Sequence, residues 1–448
     1  MPEHRDPAPA SPAAPLSGPA SGPGTAAEPA RVPGSPSGSS SGAGPQSRPA
    51  PPPMRIPSLD ALRGGALLLG VLLHAVMPFL PGVPWLVTDS RSSDAALVVV
   101  YVLHLFRMVL FMLLAGYFGR MVLNRRGAGA YLRDRATRIG LPLVGFWPIV
   151  AGLTVLALVT NQLLRGAGPL TQPPAPEGSG GDAEAGILAL PTFHLWFLLL
   201  LLEIVLVTVA ARAILVRIIG AHRAEKLISR AGGLLSSPAG VLIAAVPYAL
   251  GVMAQGTMAG GIVEPRTLMP VAGASIAYTG AFLIGWALHA RPEALRRLQR
   301  QWPAHLTCAV LLSILEFLGQ HLVPLPVAAI VTAVAAWTWV YALLGLAGRV
   351  LDREIPAVRY LADASYWIYL MHLPLLLLVE VPLADLALPV IVKLTIALVI
   401  VVGVLLVSYD LFVRSTWLGA WLNGRRRPRA LFARSQARST SISLHQPR

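Results

Sequence analysis

An arginine and a histidine eleven residues apart, Arg63 and His74, lie in the first long apolar stretch of the chain. On a helix of about 3.6 residues per turn that spacing is close to three turns, so both share one face roughly 16 Å apart. Asp60, three residues before Arg63, can pair with it across one turn. A cation at one end of the helix suits an anionic donor headgroup. A neutral imidazole deeper in the apolar run suits removal of a proton from a hydroxyl, because its ordinary pKa lies near working pH. A snorkelling arginine and a hydrogen-bonded core histidine would leave the same trace.

Other polar side chains interrupt the apolar runs, and each is a functional candidate because burial in lipid is costly. Arg107, three residues after His104, suggests a cavity lining. His194 and Trp196 open a later run, where an aromatic belt explains the tryptophan as readily as a site does. Glu203 lies mid-run and is expected to find a partner such as an arginine. Tyr366 and Tyr369 supply hydroxyls that could meet a developing oxyanion, as could Trp196 and Arg107, and His372 follows them. Glu316, Glu380 and Asp410 are expected nearer to run ends, where acids are cheaper. Arg135 and Arg138 are three apart and share a helical face. Their forks suit phosphates, and plain loop charge explains them too. No His, Cys and carboxylate spacing indicates a metal, and the single cysteine, Cys308, excludes an internal disulfide.

The elements that position these residues are membrane helices. Of 448 residues 55% are apolar and only 13% charged, with a mean hydropathy of +0.63, so the bilayer is the solvent for most of the chain. Ten runs are long enough to span it, near 57–80, 96–118, 139–163, 193–215, 238–256, 271–289, 303–322, 326–347, 361–381 and 388–412. This predicts an all-α, polytopic integral membrane protein of about ten transmembrane helices. Arginines crowd every second loop, at 120–138, 217–230 and 291–300, and fill the stretch after 424. The alternate loops carry Asp89, Asp94, Glu177, Asp182 and Glu184. The asymmetry predicts that both termini are cytoplasmic. A net charge of +15 placed this way points to orientation and lipid contact, not to nucleic acid. Residues 1–53, rich in Pro, Ala, Ser and Gly, read as a disordered tail. Residues 54–424 read as the membrane domain and 425–448 as a basic cytoplasmic tail. Nothing in the sequence signals an oligomeric state.

Ser58-Leu59-Asp60-Ala61-Leu62-Arg63-Gly64, with ten residues between Arg63 and His74, resembles the first helix of the membrane acyltransferase-3 family. Four further stretches agree in order: Phe106-Arg107-Met108 through Tyr117-Phe118, Arg135-Ala136-Thr137-Arg138, His194-Leu195-Trp196-Phe197-Leu198, and Ser365-Tyr366-Trp367-Ile368-Tyr369-Leu370-Met371-His372. The ending from Arg414 to Arg426 is similar to the branch that modifies osmoregulated periplasmic glucans. The resemblance spans residues 55–426. It implies an O-acyltransferase of a bacterial inner membrane that takes an acyl group, succinyl or acetyl, from cytoplasmic acyl-CoA and delivers it to a periplasmic or cell-envelope glycan. No bound cofactor is implied. His74 would be the essential histidine, as general base or acyl relay, with Arg63 and Asp60 beside it. Arg135 and Arg138 would hold the donor. A transporter of a glycan or lipid is the alternative reading of buried His, Arg and Glu in ten helices, although no matching halves are visible.

Overall fold

The structure is a computed structural model describing residues 56–166, 189–257, 261–319 and 322–431. The tail at 1–53, the loop acids Glu177, Asp182 and Glu184, and residues 432–448 lie outside the described residues. Met54–Arg448 is one compact unit.

All regular structure among the described residues is helical: α1 (Pro57–Val76), α2 (Asp94–Arg126), α3 (Ala128–Arg135), α4 (Leu141–Arg165), α5 (Trp196–Ile219), α6 (Ala221–Leu235), α7 (Gly240–Gln255), α8 (Ala272–His289), α9 (Ala294–Gly319), α10 (Leu325–Val350), α11 (Pro356–Leu383), α12 (Val390–Ser408) and α13 (Trp417–Asn423). Short π-helical turns at Ala136–Gly140 and Tyr409–Val413 link α3 to α4 and end α12. α1 starts at Pro57, whose missing N–H is an orphan at a helix start anyway, and Asp60 follows in the first turn.

Each of the ten apolar runs is a helix. Eight helical segments among the described residues are long and apolar enough to cross a bilayer. The fifth and sixth runs, α7 and α8, fall short for different reasons. α7 has 16 residues, and with α6 it forms a pair bent by 102°. α8 is threaded with Ala, Gly, Ser and Thr, and eleven of its 18 residues are buried. It packs against α2, α5, α6 and α7, so it meets protein rather than lipid and has no need of bulky apolar side chains. The lipid-type surface is elsewhere: Val144, Leu163, Ile218, Leu318 and Val399 are all more than 60% exposed.

The α2–α8 contact is reciprocal. A Cβ at Gly116 would lie 1.9 Å from the Phe282 carbonyl oxygen, and one at Gly285 would lie 1.9 Å from that of Leu113. Neither glycine can carry a side chain unless the helices part. Gly116→Ala is expected to cost about 1–3 kcal/mol by overpacking, read as a lower apparent melting temperature in detergent. An unchanged melting point would show that the two helices do not meet so closely.

The start of α1 and residues 425–430 share one end of the bundle, because two adjoining pockets there have Glu354, Arg359 and Asp363 in common. Residues 425–431 are pinned to the bundle. Ala430 and Leu431 donate backbone N–H groups to the Asp410 carboxylate at 2.9 and 3.1 Å, and Arg427 N–H donates to the Arg414 carbonyl at 2.9 Å. Glu316 and Glu380 lie three residues before the ends of α9 and α11, and Asp410 lies in the turn that closes α12, so all three sit near run ends as expected, yet they are at most 5% exposed and the position is not a cheap one. Asp410 is stabilised by those amides. Glu316 accepts the Thr332 hydroxyl at 2.6 Å. Glu380 is buried with neither carboxyl oxygen partnered.

Candidate active site

His74 lies two residues before the end of α1, away from the end where the chain enters. Its ring stacks on Trp85 from the α1–α2 loop, with centroids 5.8 Å apart, and meets His372 of α11 at 5.2 Å. His372 meets His194 at 4.9 Å. Three imidazoles from three separate elements thus form one row.

The backbone explains why these rings are held. Pro374 sits inside α11 and has no N–H to give, which leaves the Leu370 carbonyl without its helical partner. His194 Nε2 fills the gap at 3.2 Å. His372 Nδ1 turns back to the carbonyls of Tyr369, at 2.8 Å, and Ile368, at 3.2 Å. A carbonyl only accepts, so the bonded nitrogen carries the proton in each ring and the other nitrogen is a bare acceptor. Those acceptors, His194 Nδ1 and His372 Nε2, are buried with no protein partner, and so is His74 Nδ1. Phe193, just before His194, is a non-glycine residue at φ 49°, a conformation retained where surrounding structure enforces it. Thr192 supplies that constraint by bonding the Pro265 and Arg266 carbonyls at 2.9 and 3.0 Å.

The row lines a pocket, partly open to the surroundings, which His104, Arg107, Trp196, Tyr278, Tyr369 and Glu264 also line. Arg107 is 8% exposed. Its guanidinium crosses α1 at Gly70, where a Cβ would stand 2.8 Å from Nη1. Tyr369 donates its hydroxyl to the His194 carbonyl at 2.7 Å. Tyr369→Phe keeps the ring and loses that bond. It is expected to lower the transfer rate about fivefold, the scale of one neutral hydrogen bond, measured at matched membrane levels. A rate equal to wild type would show that His194 needs no such anchor.

The structure gathers His74, Arg107, His194, Trp196, Tyr369 and His372 into this pocket and leaves the other candidates outside it. Asp60 and Arg63, 3.5 Å apart, line a second pocket at the start of α1. Both Arg63 and His74 face α11, for Arg63 also reaches the Ala362 carbonyl at 3.5 Å. Arg135 and Arg138 sit on Asp134, at 3.9 and 3.1 Å, and Arg135 lies over the Tyr131 ring. Tyr366 points toward them and donates to the Arg138 carbonyl at 2.7 Å. Glu203 has Ser275, not an arginine, as its partner, at 3.0 Å. Trp85, Tyr278 and Glu264 went unnoticed in the sequence. Glu264 carried a signal, an acid in a short Gly-rich break between two apolar runs. Among the described residues no group of three or more His, Cys, Asp or Glu has the geometry to hold a metal.

The profile of the family described as "Acyltransferase domain" matches residues 56–413. Glucans biosynthesis protein C of Salmonella heidelberg (strain SL476) is 23% identical over 377 residues, covering 82% of this chain and 94% of that protein. The protein of the same name from Escherichia coli (strain K12 / DH10B) is 28% identical over 143 residues, 32% of this chain and 35% of that protein. No solved structure matches. The profile takes in every helix that lines the imidazole pocket, from the start of α1 to the end of the π-turn after α12, and the chain therefore belongs to the acyltransferase domain family as a multi-pass membrane acyltransferase.

Proposed function

We propose that the protein moves an acyl group from acyl-CoA to a hydroxyl of a periplasmic or cell-envelope glycan, with His74 as the base, in a bacterial inner membrane. The observation that carries this is the row of His74, His372 and His194, with bare nitrogens, in one buried pocket of a chain of this family. The glycan acceptor is supported by the name of the relatives, which concerns glucans. The acyl group is succinyl or acetyl.

In the direct route His74 takes the proton of the acceptor hydroxyl as its oxygen attacks the thioester carbonyl. The tetrahedral oxyanion then collapses, the carbon–sulfur bond breaks, and the imidazolium returns its proton to the departing thiolate. In the relay route a His74 nitrogen attacks the thioester carbonyl and the carbon–sulfur bond breaks to release the thiolate; the hydroxyl oxygen then takes the acyl carbon as the carbon–nitrogen bond breaks, and the hydroxyl proton passes by way of the freed imidazole to the thiolate. His194 Nδ1 and His372 Nε2 suit hydrogen bonds from the acceptor's other hydroxyls.

We place the donor's phosphates at the end of the bundle where α1 begins. The arginines there support this: Arg63 lines a pocket with Arg353 and Arg359, and Arg138 lies against Gly424, next to the arginines 425–427 of the adjoining pocket. From Arg63 to His74 is roughly 16 Å along α1, a gap that the pantetheine arm of coenzyme A is long enough to bridge. The arginine-rich loops at that end support a cytoplasmic position for both termini. The test supplies purified protein in vesicles with acyl-CoA and a periplasmic-type glucan. Free thiol and acyl mass on the glucan are expected to rise together. Neither rising would overturn the acyltransfer reading for this acceptor, and thiol release without acylated glucan would move the acceptor elsewhere.

A further inference from the structure

Arg107 is the one arginine or lysine among the residues lining the imidazole pocket. It is buried, yet among the described residues it forms no ion pair, and its Nε has no hydrogen-bond partner. A buried arginine is expensive. Glu264 lines the same pocket from the α7–α8 loop and acts on Arg107 electrostatically, but among the described residues it makes no contact ion pair with it, so the guanidinium's donors remain available to a ligand. What suits them is a planar anion able to accept two parallel N–H bonds.

The position narrows the anion further. The guanidinium crosses α1 at Gly70, four residues before His74, which is the same helical face and about 6 Å along the axis. An oxyanion formed where His74 acts would lie beside the imidazole, a turn away from Arg107. A carboxylate carried on the acyl group, separated from the reacting carbonyl by a short methylene spacer, would reach back by about that turn. An acetyl group would offer the guanidinium no carboxylate to fork.

We propose that Arg107 is the acyl-specificity residue: its guanidinium forks the free carboxylate of a short dicarboxylic acyl group, succinyl in kind, while the thioester carbonyl stands at His74. This rests on the reading of the pocket as the site of acyl transfer. The bond changes are those of the direct or relay route, and the free carboxylate enters and leaves unchanged, as the outer end of a half-ester. Gly70 is part of the device, because any side chain there would push the guanidinium off its line.

The test is a ratio of rates, with succinyl-CoA and acetyl-CoA offered separately to wild type, Arg107→Gln and Gly70→Ala in vesicles, and with thiol release and acyl mass both read. A variant that folds poorly loses both rates together and leaves the ratio alone. Wild type is expected to prefer the succinyl donor. Arg107→Gln should lower the succinyl-to-acetyl ratio roughly a hundredfold, the scale of a charge-assisted hydrogen bond, and Gly70→Ala should lower it less. An unchanged ratio in Arg107→Gln, or a wild type that prefers acetyl, overturns the assignment while leaving acyl transfer in place. A wild type that transfers from neither donor overturns the assignment and the proposed function together.

Discussion

Replacing His74 with alanine is expected to lower acyl transfer by about 10²–10⁴, the usual worth of a positioned base, with membrane levels close to wild type. The pocket tolerates the loss, because the ring's neighbours, Trp85 and His372, are held by other contacts: His372 is bonded to its own helix at 2.8 Å. The assay is mass spectrometry of glycans from cells expressing matched amounts of each variant. His74→Gln should be as inactive as alanine, since an amide can hydrogen-bond but cannot carry the proton or the acyl group. Full acylation in either variant would remove His74 from the chemistry and pass the role to His372 or His194, the other two imidazoles of the row, each with a bare nitrogen. An unacylated glycan absent from the periplasm altogether would point to export instead.

Lys393→Met is expected to be the most destabilising single change at the opposite, loop-bearing end of the bundle. Lys393 is 1% and Asp89 3% exposed at the side chain, and the ammonium bonds both carboxylate oxygens at 2.8 and 2.9 Å and the Ala384 carbonyl at 2.9 Å. Glu380 lines the same small cavity and among the described residues has no hydrogen-bond partner, so Lys393 is the one cation among that cavity's lining residues, beside two acids. Removing it strips the buried Asp89 carboxylate of the ammonium bonded to both its oxygens, at about 3–5 kcal/mol. The readout is the apparent melting temperature in detergent and the fraction of protein resistant to protease in membranes. Asp89→Asn combined with Lys393→Met should recover much of the loss, because it removes a charge together with its partner. A Lys393→Met protein that melts with wild type would mean that water reaches the pair.

Some of the site could be read directly from spacing. Arg63 and His74 share a helical face by arithmetic, and both do face α11. Spacing could not say that they belong to different pockets, since a shared face says nothing about what packs against it three turns apart. Arg107 was legible as an arginine inside an apolar run, and nothing in the run shows that it crosses α1 at Gly70. Arg135 and Arg138 were legible as a basic pair with Asp134, one and four residues before them; that Arg126 of α2 also reaches Asp134, at 3.6 Å, was not.

By itself the sequence determined the solvent, the helices and the chemistry on offer. A mean hydropathy of +0.63 with 13% charge leaves only helices in lipid, where each backbone group must be satisfied within its own segment, and so all ten apolar runs are helices. Tertiary structure decided which polar groups meet. His74, His194 and His372 are brought together across almost 300 residues of chain, and Asp89 meets Lys393 across 304. No local pattern records such pairings, because they depend on which helix lies beside which. Small residues settle that at close crossings: Gly116 against Phe282, Gly285 against Leu113, and Gly70 beneath Arg107. In sequence a glycine within an apolar helix is only a weak spot, and it becomes a contact once a second helix is packed against it.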